Sequence, residues 1–222
     1  MIELKNVWKN FKMENTEHKV LKDINLTIDE GEFITIMGPS GGGKSTLLYI
    51  LSMLDTVSSG EFSFDGKIID LKREKEVENI RQKNIGLIFQ NSNLIASLTP
   101  LENLLLAMNS RAGKREKKEK CQELLNMVGL LQKKNAKVTT LSGGEAQRVA
   151  VVRALVNNPR FIFCDEPTGA LNSENGSRVV ELLLKVKENT GCSIVIVTHD
   201  ESIGKLGERR FFLKDGVLNE LV

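Results

Sequence analysis

This sequence predicts an α/β fold in which a mainly parallel sheet is interrupted by a block of helices. Three observations lead there. From Phe161 onward, short continuous apolar runs alternate with helix-like stretches, the pattern of strands buried on both faces of a parallel sheet. From Asn91 to Val156 the spacing is helical instead, with Leu101, Leu104, Leu105 and Met108 recurring on one face. Between them in type, the apolar run Phe33 to Met37 leads through a glycine-rich loop into the helix-like run Leu47 to Leu54.

The elements follow in order. Ile2 to Val7 and Val20 to Ile28 read as short strands with partial alternation and turn residues between them. Phe33 to Met37 is the strand feeding the loop. Glu61 to Phe64 and Ile85 to Phe89 are further strands, and the charged stretch Arg73 to Lys83 reads as a solvated helix. Arg111 to Lys120 is dense in charge of both signs, as expected of an exposed helix start with mixed ion pairs. Cys121 to Leu131 then resumes an apolar face. Phe161 to Cys164, Ser193 to Val197 and Arg209 to Leu213 are strands, and Ser173 to Asn189 is a helix.

Composition bounds the function. The 222 residues suffice for one domain with a subdomain, and the hydrophobic content of 41% and charged content of 27% are ordinary for a soluble protein. A net charge of +2 supplies no global field for nucleic acid, and no nucleic-acid partner is expected. No apolar stretch approaches the ~18–20 residues that span a bilayer, and Met1 to Lys5 lacks a signal pattern, so a cytoplasmic protein is expected. Cys121, Cys164 and Cys192 have neither disulfide nor metal spacing, and His18 and His199 are the only histidines, too few for a multi-histidine metal centre.

The loop itself, Gly38-Pro39-Ser40-Gly41-Gly42-Gly43-Lys44-Ser45-Thr46, fits the phosphate-loop pattern G-x-x-x-x-G-K-[ST]. Its glycines let backbone N–H groups point inward at phosphate oxygens, and the helix starting near Lys44 adds the positive end of its dipole. Lys44 is expected to reach the β- and γ-phosphates, and the Ser45 hydroxyl to ligate Mg²⁺.

Other residues converge on the same chemistry. Phe161 to Cys164 ends in Asp165 and Glu166. Strand carboxyl ends face the ligand crevice of a parallel sheet, so Asp165 is expected to hold Mg²⁺ and Glu166 to polarise the attacking water. Gln90 and His199 follow the strands Ile85 to Phe89 and Ile194 to Thr198 in the same way; a neutral amide can ligate Mg²⁺ or orient water. Leu141-Ser142-Gly143-Gly144-Glu145 opens a helix, with Ser142 and Glu145 at capping-box spacing. The box leaves the two glycines unexplained, and bare N–H groups at a helix start suit a phosphate. With one phosphate loop already present, the simplest reading is that Ser142, Gly143 and Gly144 serve the γ-phosphate held by another subunit.

Together these residues resemble the ATP-binding subunit of ABC transporters, over essentially the whole chain. The phosphate loop, Gln90, Leu141 to Gly144, Asp165-Glu166 and His199 stand in the family's order. Glu32 to Gly41, Pro167-Thr168-Gly169-Ala170-Leu171 and Leu213-Lys214-Asp215-Gly216 resemble the macrolide-export and lipoprotein-release subgroup. The resemblance implies a P-loop NTPase core with an N-terminal antiparallel β subdomain (1–90 and 157–222) and an inserted helical subdomain (91–156). It implies MgATP hydrolysis by two copies docked head to tail, at the cytoplasmic face of a membrane, driving an integral membrane permease. Phe11 falls where the family stacks an aromatic on adenine. Gln90 and the segment 91–108 would meet a cytoplasmic helix of the permease, with Leu94, Ile95 and Leu98 as candidate contacts. The implied cargo is hydrophobic or peptide-like; the rival reading is the ATPase of a membrane-linked cell-wall regulatory complex that moves nothing. Three departures stand out: Gly42 replaces a frequent Ser, Glu145-Ala146-Gln147 replaces a usual run rich in Gln after the signature, and Asn172 replaces the usual Asp that contacts the opposite phosphate loop.

Overall fold

The computed structural model describes residues 1–13, 16–110 and 112–221, with Met13 described in its backbone only. Arg111, at the head of the charged stretch, lies outside the described residues. Two sheets are present. The first is antiparallel: strands β1 (Ile2–Met13) and β2 (Thr16–Ile28) form a long hairpin, and β4 (Ser59–Phe64) and β5 (Lys67–Ile68) extend it in the order β2-β1-β4-β5. The second runs β10-β9-β3-β8-β7-β6. Its five strands β3 (Phe33–Met37), β6 (Ile85–Ile88), β7 (Phe161–Asp165), β8 (Ser193–Thr198) and β9 (Arg209–Lys214) are parallel, and β10 (Val217–Leu221) closes the edge antiparallel to β9.

The apolar strands explain the layering. Successive side chains point to opposite faces. Ile34, Ile36, Phe161, Phe163, Val195 and Val197 therefore face one way, into a core shared with Ile2, Leu4, Leu21 and Ile28 of the antiparallel sheet. Helix α1 (Lys44–Leu51) lies in that core through Leu47, Leu48, Ile50 and Leu51. Phe33, Ile162, Cys164, Ile194 and Ile196 face the other way, onto Val179, Leu183 and Val186 of α6 (Ser173–Thr190) and onto Val151 and Leu155 of α5 (Gly143–Leu155). Burial of each such side chain contributes about 1.5–3 kcal/mol.

The helical stretch has its own core. Leu101 and Leu104 of α3 (Pro100–Ala107), Cys121 and Leu125 of α4 (Lys114–Met127), and Val149 and Val152 of α5 pack together. Burial pushes the Cys121 thiol up to about 11, so it behaves as a small apolar side chain. Three sequence expectations change. The first two strands extend beyond Val7 to Met13 and back from Val20 to Thr16, because the hairpin continues past the core as an exposed ribbon. The segment 91–99 forms no helix; Asn103, buried on α3, accepts from Ile95 N at 2.8 Å and donates to Thr99 O, fixing a loop instead. Strand β10 was not expected, since its residues are mostly exposed and carry no apolar run. The helices α2 (Glu74–Asn84) and α7 (Glu201–Gly204) complete the fold.

Candidate functional site

The parallel register brings β3, β8 and β7 to a common carboxyl edge, with Met37 beside Thr198 and Asp165 beside Val197. The phosphate loop leaves β3 at that edge. Gly38 is required there: a Cβ would lie 2.0 Å from the Leu213 carbonyl oxygen of β9. Lys44 is buried and donates to the carbonyls of Gly38 at 2.9 Å and Pro39 at 3.0 Å, so its ammonium sits inside the curl of the loop. Pro39, Ser40, Gly41 and Ser45 are exposed, and Gly42 and Thr46 are half-buried. Gly43, at φ +94°, turns the chain into α1.

Two strands away, the Ser45 hydroxyl donates to Asp165 Oδ1 at 3.0 Å. Sequence reasoning missed the second partner: Tyr49 OH donates to Asp165 Oδ2, also at 3.0 Å. The only signal was its place one helical turn after Ser45. Glu166 follows in a left-handed conformation at φ +44°, held by its N–H on Val197 O at 3.0 Å. Its Oε2 lies 3.0 Å from His199 Nδ1, the side chain that follows β8. Five of the expected residues, Lys44, Ser45, Asp165, Glu166 and His199, thus stand at one sheet edge.

Gln90 is close but not engaged. It is exposed, just beyond β6, with its Nε2 only 2.8 Å from where a Cβ of Gly169 would be. The preceding Phe89 is anchored by Gln147 of α5, whose Nε2 donates to Phe89 O at 2.8 Å. Arg153 of the same helix donates to Ser92 O and Asn93 O, tying the loop to α5. Leu94 packs into the helical core and Leu98 is half-buried, while Ile95 is exposed. Leu94 therefore serves packing rather than an outer contact, because the loop folds it inward.

Ser142, Gly143 and Gly144 stand apart from the loop. The capping box is present: Ser142 Oγ accepts from Glu145 N at 3.3 Å, and Glu145 Oε2 accepts from Ser142 N at 3.0 Å. Lys133 pairs with Glu145 at 2.6 Å. Helix α5 packs on β6, at the far side of the sheet from β3. Among the described residues no hydrogen bond or ion pair joins Ser142, Gly143 or Gly144 to the phosphate loop. The two glycines differ. Gly144 has a local cause, since a Cβ would lie 2.6 Å from Asn175 Oδ1, whereas Gly143 is exposed. Asn172 caps α6: its Oδ1 accepts from Asn175 N at 3.0 Å and from Asn175 Nδ2 at 2.8 Å.

Phe11, in the hairpin, is 40% exposed and pairs across the strands with His18. His18, Lys19, Val20 and Lys22 of β2 border a cavity of about 250 Å³ together with Pro39 to Gly42. The ribbon that carries Phe11 therefore borders the phosphate loop.

A family model described as ABC transporter matches residues 21–169. The chain is 46% identical to MJ0796 of Methanocaldococcus jannaschii, an ABC transporter ATP-binding protein, over 97% of this chain and 94% of that one. It is 44% identical to the lipoprotein-releasing system ATP-binding protein LolD of Aquifex aeolicus, over 94% and 93%. With the macrolide export ATP-binding/permease protein MacB of Bdellovibrio bacteriovorus, identity is 41% over 98% of this chain and 33% of that protein. A solved dimer of the MJ0796 cassette bound to ADP and Pi superposes with a TM-score of 0.88, at 42% identity, covering 100% of this chain and 99% of that one. The chain belongs to the ABC transporter family, as an ATP-hydrolysing cassette of the type that includes the lipoprotein-releasing and macrolide-export ATP-binding proteins.

Proposed function

We propose that two copies of this chain dock head to tail and hydrolyse MgATP between them, driving a separate membrane permease. One observation carries the reading. The exposed helix start at Ser142 and Gly143 lies on the opposite side of the sheet from the phosphate loop and makes no contact with it among the described residues. A helix N-terminus with bare N–H groups suits a phosphate, and a second copy is the source of one. The dimeric state of the MJ0796 cassette supports this arrangement.

The chemistry follows from the sheet edge. The backbone N–H groups of the phosphate loop, with the ammonium of Lys44, bind the phosphates; that of Gly42 donates to Pro39 O at 3.1 Å and holds the curl of the loop. The donors that would hold Mg²⁺ are the Ser45 hydroxyl, the Asp165 carboxylate and the Gln90 amide. These are hard oxygen ligands, and the described residues contain no cluster of three or more His, Cys, Asp or Glu side chains suited to a metal. That scarcity fits Mg²⁺, which is held by one or two protein groups plus substrate phosphates and water. When bound there, the ion would neutralise charge on the nucleotide phosphates. Glu166 accepts a hydrogen bond from the attacking water and orients it in line with the phosphorus. His199, beside it, fixes the Glu166 carboxylate. Phe11 offers a ring face to adenine.

The product is movement rather than a metabolite. Gln90 joins the site to the loop 91–99, which α5 and α3 hold rigidly through Gln147, Arg153 and Asn103. Exposed Ile95 and Leu106 on this helical region are the apolar contacts it offers a permease at the cytoplasmic membrane face. No described helix is long and apolar enough to cross a membrane, so the permease would be a separate polypeptide or segment. The names of the LolD and MacB relatives support a hydrophobic or peptide-like cargo that is extracted or exported. The test is the dependence of specific ATPase activity on protein concentration. Activity should rise as dimers form; constant activity from a species shown to be monomeric throughout would contradict the reading.

A further inference from the structure

We infer that Tyr49 is a positioning residue for the divalent cation: it fixes the Asp165 carboxylate and links it to the segment that carries Gln90. The inference rests on the reading of Ser45 and Asp165 as cation donors. Ser45 and Tyr49 are four residues apart on α1 and so lie on one face of the helix. Their hydroxyls take the two oxygens of one carboxylate, Oδ1 and Oδ2, each at 3.0 Å. A carboxylate held by a single hydrogen bond turns easily, because the terminal torsion of Asp is broad. Held at both oxygens by the same helix, its plane is set relative to the phosphate loop that begins that helix.

The phenol is suited to this. It is a neutral hydroxyl that donates to Oδ2 without adding charge beside the carboxylate. The ring has a second contact. Its edge meets Phe89 with centroids 6.5 Å apart and planes at 62°. Phe89 immediately precedes Gln90, and its carbonyl is the acceptor for Gln147 of α5. Tyr49 thus bridges the end of β7 and the end of β6. Its hydroxyl and its ring perform separable tasks. Partners that orient a metal's ligands characteristically change metal affinity by 10–100-fold when lost.

The experiment measures the affinity of this chain for an ATP analogue with a non-hydrolysable β–γ bridge, by calorimetry, in Mg²⁺ and in EDTA. The ratio of the two affinities reports the coupling between cation and nucleotide. Tyr49→Phe keeps the ring and removes the hydroxyl. Its affinity in EDTA should stay within about twofold of the parent, while the Mg²⁺ enhancement falls roughly tenfold. An unchanged enhancement in Tyr49→Phe, with the enhancement abolished in Asp165→Asn, would overturn the role of Tyr49 and leave the cation site standing. Equal loss of affinity in both media would overturn it too, by making Tyr49 a packing residue. An enhancement insensitive to Asp165→Asn would overturn the underlying assignment of the cation donors.

Discussion

His199 Nδ1 and Glu166 Oε2 lie 3.0 Å apart, bridging the ends of two neighbouring parallel strands. The carboxylate is mostly shielded, at 19% exposure, while the imidazole is 59% exposed. A protected carboxylate with one oxygen fixed has its other oxygen free to orient a water. Glu166→Gln keeps this shape and loses the charge. It should bind MgATP with near-parental affinity and hydrolyse it roughly 10²–10⁴-fold more slowly. Single-turnover assays would check this, and near-normal turnover would remove Glu166 from the role.

The Phe11 ring is exposed but not free on all sides. Lys9 Nζ lies 4.9 Å from its centroid, and is itself tied to Asp55 at 2.6 Å and to Thr56 O. Phe11→Ala should weaken ATP binding by about 1–3 kcal/mol, the range for base–aromatic stacking. Phe11→Tyr should be nearly silent. Trp8, the single tryptophan, lies on the same strand and should report nucleotide through a saturable fluorescence change. Equal affinity in a folded Phe11→Ala protein would show that the base is held elsewhere.

Asn172 has a structural task that its chemistry satisfies without charge. As the N-cap of α6 it should cost about 1 kcal/mol when replaced by Ala, and nearly nothing when replaced by Asp, an equally good cap. Urea unfolding of the two variants gives the comparison. With stability matched, any change in hydrolysis by Asn172→Asp reports the effect of a charge at this position, the change expected if it faces the phosphate loop of a second copy as proposed.

A junction between the two sheets is expected to contribute to stability in acid. Arg160, at the start of β7, pairs with Glu30 and with Asp65, which turns β4 into β5. The Arg160 hydrogen bonds hold the Asp65 carboxyl down at about 2 from its ordinary 3.8. A depressed carboxyl pKa stabilises the fold above the ordinary value, and that stability is lost as pH falls from about 4 towards 2. Asp65 is half-exposed, so solvent screening keeps the contribution near 1 kcal/mol or less. Arg160→Met should lower the urea midpoint at pH 6 and narrow its difference from pH 3. An unchanged difference would place the acid sensitivity elsewhere.

Much of this architecture was legible because burial writes itself into sequence. Phe161 to Cys164 and Ile194 to Val197 are buried on both sheet faces and read as unbroken apolar runs. The phosphate loop was legible from its glycine pattern, and the position of Asp165, Glu166 and His199 at the same sheet edge from the apolar strands they follow. What escaped lies where local pattern carries no signal. Strand β10 owes its place to pairing with β9, and the ribbon of β1 and β2 to a hairpin whose outer residues face solvent. Tyr49 looked like one more residue of an apolar helix; only the fold brings Asp165 to its hydroxyl. Gly144 looked like a phosphate-facing position, and the nearby Asn175 side chain supplies a packing reason that spacing could not reveal.

Completion of each proposed active site by a second copy can be tested by mixing two inactive chains. Lys44→Ala removes the phosphate-loop ammonium, and Ser142→Arg blocks the exposed helix start; each chain alone should be inactive. In a mixed head-to-tail dimer, one site pairs an intact phosphate loop with an intact Ser142 segment. Mixing the two inactive proteins should therefore restore ATP hydrolysis, with a maximum near equal proportions. Verified mixed dimers that remain inactive at every ratio, or a Ser142→Arg chain that hydrolyses ATP at the parental rate on its own, would contradict a composite site.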